Sequence, residues 1–146
     1  SKLLGEVAEA PAITLRTSII GHELHRKTGL LEWFLAQRGR TIKGYRRAVF
    51  SGFTTLEMAR IIERVLTGPG PAHGLYQVSS TPISKYDLLC AIRDHLSLDI
   101  TIEPDDGFVC DRSLDSTRFR RDFAYTPPSW DTMIDELASS SDNATL

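Results

Sequence analysis

His22-Glu23-Leu24-His25 sets three chemistry-bearing side chains within four residues. Two histidines around a glutamate suggest a zinc-binding helix. That chemistry needs the histidines four apart with Glu directly after the first, so that both imidazoles share one helix face. Here they are three apart, and no further Cys or His cluster completes a tetrahedral site, so no metal is expected. A nucleophilic thiol needs a histidine partner, and none is evident for Cys110. Cys90 reads as a small core residue of a helix, and Cys110 as a loop residue beside Asp111 and Arg112. The other groups with chemical potential are basic: Lys2, Arg16, the adjacent pair Arg46-Arg47, and Arg112. Lys2 taken alone is a solvated terminal lysine. Arg16 lies inside an apolar run, where a guanidinium needs an ion-pair partner or a ligand. Arg46 and Arg47 would face opposite sides of a strand, so at most one can serve a given ligand.

The elements that must hold these groups alternate between strand and helix. Lys2 to Ala10 is helical in pattern and is stopped by Pro11. Ala12 to Ile20 is β-branched and largely apolar, which predicts a strand buried on both faces, as in parallel sheets. Thr28 to Gln37 predicts a helix with Leu30, Leu31, Phe34 and Leu35 on one side. Strand-like pieces follow around Gly44. Thr54-Thr55-Leu56-Glu57 fits a capping box, opening a helix whose stripe is Leu56, Ala59, Ile62 and Leu66 and which ends at Gly68-Pro69-Gly70-Pro71. Gly74 to Ser79 reads as a strand, and Ser84 caps a helix through Leu96. Ile100 to Glu103 is a short strand before an acidic loop. Asp115 caps a short helix to Phe123, and Ser129 caps a last helix anchored by Trp130, with Met133, Ile134 and Leu137 facing a core. From Ser139 onward the sequence is polar and expected to fray; its Asn143-Ala144-Thr145 sequon carries no functional reading.

This alternation makes the class α/β. The chain of 146 residues is long enough for one ordinary domain with a sizeable core. Its net charge is −2, with Lys and Arg scattered among Asp and Glu. That argues against a basic nucleic-acid or membrane-surface binder. Two cysteines are too few for a disulfide framework and suggest a reducing compartment. No apolar run approaches the roughly 20 residues that span a bilayer, and no signal peptide is recognisable, so a cytoplasmic location is expected. Ser1 to about Gly21 reads as part of a sheet whose other strands lie elsewhere, since a lone parallel strand would leave its backbone groups unpaired.

Four segments, in order, resemble one family. Ser1-Lys2-Leu3-Leu4-Gly5-Glu6 resembles the segment after the catalytic tyrosine of the extended short-chain dehydrogenase/reductases, the NAD-dependent epimerase/dehydratase superfamily. Leu15-Arg16-Thr17-Ser18-Ile19-Ile20-Gly21 resembles its Leu-Arg-Thr-Ser-x-Val-Tyr-Gly strand and loop. Phe50 to Ala59 resembles the opening of its substrate-lobe helix. Leu114-Asp115-Ser116-Thr117-Arg118-Phe119, then Pro127-Pro128-Ser129-Trp130, resembles its closing Leu-Asp-x-x-Lys-Leu and Pro-x-Trp. The branch most similar is that of the dTDP-4-dehydrorhamnose reductase-like proteins.

The resemblance implies the C-terminal part of an NAD(P)-dependent reductase acting on a keto group of a nucleotide-linked sugar. Residues 1–27 would be the remnant of a Rossmann-like dinucleotide-binding domain, 28–138 a small α/β substrate-binding lobe, and 139–146 a tail. Lys2 would be the lysine of Tyr-x-x-x-Lys, holding the nicotinamide ribose and lowering the pKa of a tyrosine four residues earlier. Thr17 and Ser18 would lie beside the nicotinamide. Ile19, Arg46, Arg47 and Arg112 would face the substrate, the arginines as candidates for its diphosphate. Two departures matter: Ile19 stands where the reductases carry an aromatic residue, and Phe108 to Asp115 departs from the family's Arg-Pro-x-Asn-Ser-x-Leu-Asp. The cofactor would be NAD or NADP. Expected partners are a nucleotide sugar, the dinucleotide-binding half and, as an open alternative, a second copy; neither nucleic acid nor a membrane is expected. An epimerase or dehydratase of the same superfamily, or a binding module without catalysis, is the alternative. The chain alone is expected to be inactive, and poorly stable or associating through an exposed sheet edge.

Overall fold

The computed structural model describes residues 5–7, 9–23, 25, 28–68, 70–71 and 73–142, with side chains up to residue 139. Parallel pairing dominates. β1 (Ile13–Arg16) runs parallel to β6 (Gly74–Gln77), with Ile13 opposite Gly74 and Arg16 opposite Gln77. β2 (Ile19–Ile20) runs parallel to β5 (Phe53–Thr54), and β3 (Arg40–Tyr45) to β8 (Ile100–Asp105) over six residue pairs. β4 (Ala48–Phe50) pairs antiparallel with β7 (Ile83–Ser84) and parallel with β9 (Cys110–Asp111). Parallel strands need crossovers, and helices supply them. α2 (Thr55–Thr67) leads to β6, and α3 (Lys85–His95) leads to β8. α1 (Leu30–Leu35), α4 (Thr117–Asp122) and α5 (Trp130–Asp142) complete the α/β architecture.

Capping explains where the long helices begin. The Thr54 hydroxyl accepts from the Glu57 amide, and the Ser84 hydroxyl from the Asp87 amide at 3.0 Å. The capping box of α2 is half formed. The Glu57 carboxylate turns inward, accepting from the Tyr125 hydroxyl at 2.8 Å and from Arg60 at 3.1 Å. At the last helix the Ser129 hydroxyl accepts from the Thr132 amide, and Trp130 Nε1 donates to the Thr81 carbonyl at 2.7 Å. Trp130 is the anchor its position suggests. The core gathers Phe34, Phe53, Tyr76, Leu88, Ile92, Phe119, Met133 and Ile134, all nearly inaccessible to solvent.

Several expectations are corrected. The strand over Ala12 to Ile20 is two strands, because the chain changes partner at Thr17-Ser18: the Arg16 carbonyl accepts from Val78, whereas the Ser18 carbonyl accepts from Phe53. β1 does have a parallel neighbour, β6, on one edge, with no ladder partner on the other among the described residues. It is half-buried rather than sealed on both faces. The described part of the first segment forms no α-helix. Side-chain bonds to β1 hold it instead: the Val7 amide donates to Thr14 Oγ1, and the Thr14 hydroxyl donates back to the Val7 carbonyl at 2.7 Å. The Leu56-Ala59-Ile62-Leu66 stripe of α2 faces outward, with Leu66 78% exposed, while Met58 and Ile61 fill the core. Finally, α5 stays helical to Asp142, past the start of fraying expected at Ser139.

The surface carboxylates set the response to acid. Glu6 is held below its ordinary pKa by its bonds from Arg16, Asp105 by the Gly107 amide, Asp106 by Arg46, and Asp122 by Arg121. A carboxyl whose folded pKa is depressed adds stability above its unfolded pKa and loses it as pH falls through the folded one. The melting temperature should therefore hold steady at neutral pH and fall progressively below about pH 4, where unfolded carboxyls take up protons. Thermal melts from pH 7 to 2.5 check this; a midpoint that rises on acidification would contradict it.

Candidate functional site at the carboxyl ends of the parallel strands

β1 ends at a cleft of about 480 Å³ lined by Glu6, Arg16, Thr17, Ser18, Arg112 and Leu114, among others. Arg16 closes one wall. Its Nε and Nη2 fork onto the two carboxylate oxygens of Glu6 at 2.7 and 2.6 Å, so of the two readings its sequence left open, ion-pair partner or ligand, the structure supplies the ion pair. The pair joins Gly5-Glu6 to Arg16-Thr17-Ser18, two segments that the sequence resemblance also sets side by side. Thr17 is half-buried and Ser18 exposed.

Ser18 is placed by a close approach. The Phe53 amide donates to its carbonyl at 2.9 Å, and a Cβ on Gly52 would come within 2.3 Å of that oxygen. Gly52→Ala should force the β2–β5 junction apart and destabilise the protein by about 1–3 kcal/mol. Denaturant unfolding measures this, and a variant as stable as the parent would show that the junction is slack.

The opposite wall is stitched to β6. The Ser79 hydroxyl donates to the Leu114 carbonyl at 2.7 Å, the Leu114 amide to Ser51 Oγ at 3.0 Å, and the Asp115 amide to Gln77 Oε1 at 3.2 Å. Arg120 Nη2 donates to the carbonyls of Ser79 and Ser80. Asp115 also accepts from the Thr117 amide at 2.9 Å, so it caps α4 from two residues ahead. These bonds fix the segment from Arg112 to Asp115 across the end of the strands. Ligands gather at that end of open α/β sheets.

The structure separates the predicted residues into two groups. Thr17, Ser18 and Arg112 share the cleft. Arg46 and Arg47 do not line it; they occupy the turn between β3 and β4 rather than a strand. Arg46 is already forked onto Asp106, its Nε 2.8 Å from Oδ1. Ile19 is 54% exposed, pairs with Phe53 and is not among the cleft-lining residues. Lys2 lies outside the described residues. Cys110 falls in β9 rather than a loop, and both cysteines are half-buried. His22 Nδ1 lies 3.0 Å from Glu32 Oε1, and no group of three or more metal-ligating side chains comes together among the described residues. Sequence reasoning missed Ser51 and Ser79, whose roles depend on contacts across 63 and 35 residues. The Ser79-Ser80 pair near the end of β6 was a signal for Ser79 alone.

Thr17 and Ser18 follow directly on the end of β1. The sequence offers no Gly-x-x-Gly-x-x-Gly loop to cradle a pyrophosphate on a helix N-terminus. Among the described residues no helix is long and apolar enough to cross a membrane.

No protein-family model matches the chain, and no curated protein sequence does. Solved structures do. The dTDP-glucose 4,6-dehydratase of Bacillus anthracis in complex with NAD superposes with a TM-score of 0.64 at 15% identity, over 90% of this chain and 44% of that one. The dTDP-4-dehydrorhamnose reductase of the same organism, in complex with NADP, gives 0.66 at 14%, over 88% and 48%. The UDP-N-acetylglucosamine 4-epimerase of Bacillus cereus gives 0.68 at 13%, over 89% and 48%. The chain thus has the fold of part of these sugar-nucleotide enzymes and spans somewhat under half the length of each. At the level of fold, this agrees with the resemblance seen in the sequence.

Proposed function

We propose that this chain is the nucleotide-sugar-binding part of an NAD(P)-dependent enzyme, and more specifically of a reductase acting on a keto group of a nucleotide-linked sugar. The observation that carries the reading is the cleft in which Thr17, Ser18 and Arg112 meet at the carboxyl ends of β1 and β6, within a fold shared with a dehydratase, a reductase and an epimerase of such sugars. Arg112 offers a guanidinium fork to a diphosphate. Thr17 and Ser18 offer hydroxyls to the sugar and the nicotinamide ribose. Lys2 would come from the segment that Glu6 ties to Arg16, and would pair with a tyrosine four residues before it. The cofactor would be NAD or NADP.

Two surfaces support a dinucleotide-binding half in the complete enzyme. The edge of β1 that has no ladder partner among the described residues could take another parallel strand. Beside it, Ile13, Leu15, Ile62, Val65 and Leu66 line an apolar groove of about 580 Å³. A helix apolar on both sides is normally covered on both. Residues 1–27 would then belong to that half and 28–138 mainly to the substrate lobe.

The alternative of epimerase or dehydratase chemistry has equal structural support, since neighbours of those activities superpose as well as the reductase does. The test is a binding panel of dTDP-, UDP-, GDP- and CDP-sugars against the full-length protein. Saturable binding of one nucleotide class, weakened by Arg112→Ala, is expected; no binding of any would reject the reading.

A further inference from the structure

α4 opens on a serine that does not cap it. Ser116 stands at the N-cap position with no side-chain bond to the helix, although serine there ordinarily accepts from an amide of the first turn. Asp115 has taken that task, its Oδ1 accepting from the Thr117 amide at 2.9 Å and the Thr117 hydroxyl at 2.6 Å. Ser116 is left 4% exposed, and its hydroxyl has no hydrogen-bond partner among the described residues. Such a group is costly to bury and rare in folded proteins.

Arg120 Nε is a buried atom in the same condition. The two residues are four apart, so they are neighbours on one face of α4, and the Arg120 amide donates to the Ser116 carbonyl at 2.9 Å. That face is turned to the end of β6, because Arg120 Nη2 donates to the carbonyls of Ser79 and Ser80 at 3.2 and 3.3 Å. Both serines are buried. The two unpartnered atoms are complementary in kind: Nε–H only donates, whereas the hydroxyl donates and accepts. No direct bond joins them. A small molecule that accepts from Nε–H and shares a bond with the hydroxyl satisfies both.

The surroundings select a neutral molecule. The Asp115 carboxyl is held below its ordinary pKa by the Thr117 hydroxyl and amide, and further by the positive charge of Arg120. Arg120 therefore has an anionic neighbour already, though no ion pair joins the two. A bound anion would meet that carboxylate at close range, and water meets no such opposition.

We propose that Ser116 and Arg120 hold an internal water molecule at the seam between α4 and the end of β6, which accepts from Arg120 Nε–H and shares a hydrogen bond with Ser116 Oγ. Buried waters make about three hydrogen bonds. The Ser79 and Ser80 carbonyls, beside the same guanidinium, each have a second lone pair for the third. The water fixes the guanidinium on those carbonyls, and Ser79 in turn holds the Leu114 carbonyl at 2.7 Å on the wall of the cleft. It is thus part of what sets that wall, whatever ligand the cleft takes, and it gives Ser116 a reason to carry a hydroxyl where it does not cap.

The test is a pair of substitutions at Ser116 in the full-length protein, read by urea unfolding. Ser116→Ala removes one bond but leaves the space, so the water stays on Arg120. Ser116→Val fills the space, expels the water and strips Arg120 Nε of its acceptor. Valine should shift the folding equilibrium about tenfold further toward the unfolded state than alanine does, although it buries more apolar surface. In an Arg120→Met background no donor is left to strand, and the order should reverse. A crystal structure of the full-length protein should show a water about 2.7–3.2 Å from both atoms. Valine no worse than alanine in the parent, or an order that Arg120→Met leaves unchanged, would overturn the proposal. So would a crystal structure in which Ser116 Oγ and Arg120 Nε bond directly to each other or to other protein groups, or in which an anion lies between them.

Discussion

Phe119→Ala should destabilise this protein by about 3–5 kcal/mol, the range for truncating a fully buried aromatic residue. Phe119 has no accessible surface and sits at the centre of an aromatic cluster. Its ring stacks on Phe123 at 4.7 Å and meets Tyr125 at 5.6 Å and Tyr76 at 6.0 Å, both edge-on. Alanine would leave a void bordered by three rings, two of them held from outside. Tyr125 donates to buried Glu57 and Tyr76 donates to Asp122, so neither can collapse inward without losing a hydrogen bond. Against a total stability of about 5–15 kcal/mol, the loss should lower the melting temperature by roughly 10–20 °C. The effect should also reach the cleft. α4 carries Phe119 on one face and Arg120, which holds the Ser79 and Ser80 carbonyls, beside it. Phe119→Leu, which keeps most of the volume, should cost about 1.5 kcal/mol or less. Thermal and urea unfolding decide the matter. An alanine variant melting within a few degrees of the parent would mean that the cluster is not the centre of the core.

Lys2→Ala in the full-length enzyme should lower turnover by about 10²–10⁴-fold while leaving nucleotide-sugar affinity nearly unchanged. That range is typical of losing general acid–base catalysis. A phenol with an ordinary pKa near 10 needs a nearby cation to exchange protons close to neutrality. Without Lys2 the proposed tyrosine would return toward that ordinary value, and the pH optimum of the remaining activity should move upward. The fork from Arg16 joins Glu6 to the end of β1, next to Thr17 and Ser18, while Lys2 itself lies outside the described residues. Steady-state kinetics across pH check it. An alanine variant with unchanged turnover, or with an unchanged optimum, would remove Lys2 from the chemistry.

The long elements of this fold were legible because local signals agreed. Thr54 and Ser84 cap where their sequences say they should, and Leu88, Leu89 and Ile92 face the core. The two-residue strands β2, β5, β7 and β9 were not legible, since they exist only through partners far away in sequence. α2 shows a different limit. Helical spacing reveals that Leu56, Ala59, Ile62 and Leu66 share a stripe, but Met58 and Ile61 form another, and spacing alone does not say which stripe meets this core. Of the candidate residues, those near one another in chemistry and local order were brought together. Thr17, Ser18 and Arg112 share the cleft, whereas Arg46 was a candidate by charge alone, and its partner Asp106 lies 60 residues away.

The most direct test of the account is the nicotinamide absorbance of the full-length protein mixed with NADPH or NADH and a panel of keto-sugar nucleotides. Oxidation of the coenzyme that requires one nucleotide-linked keto sugar, and that is lost in Lys2→Ala, is the predicted result. Tight binding of a nucleotide sugar with no change in the coenzyme under any condition would contradict the reductase and leave a binding module in its place.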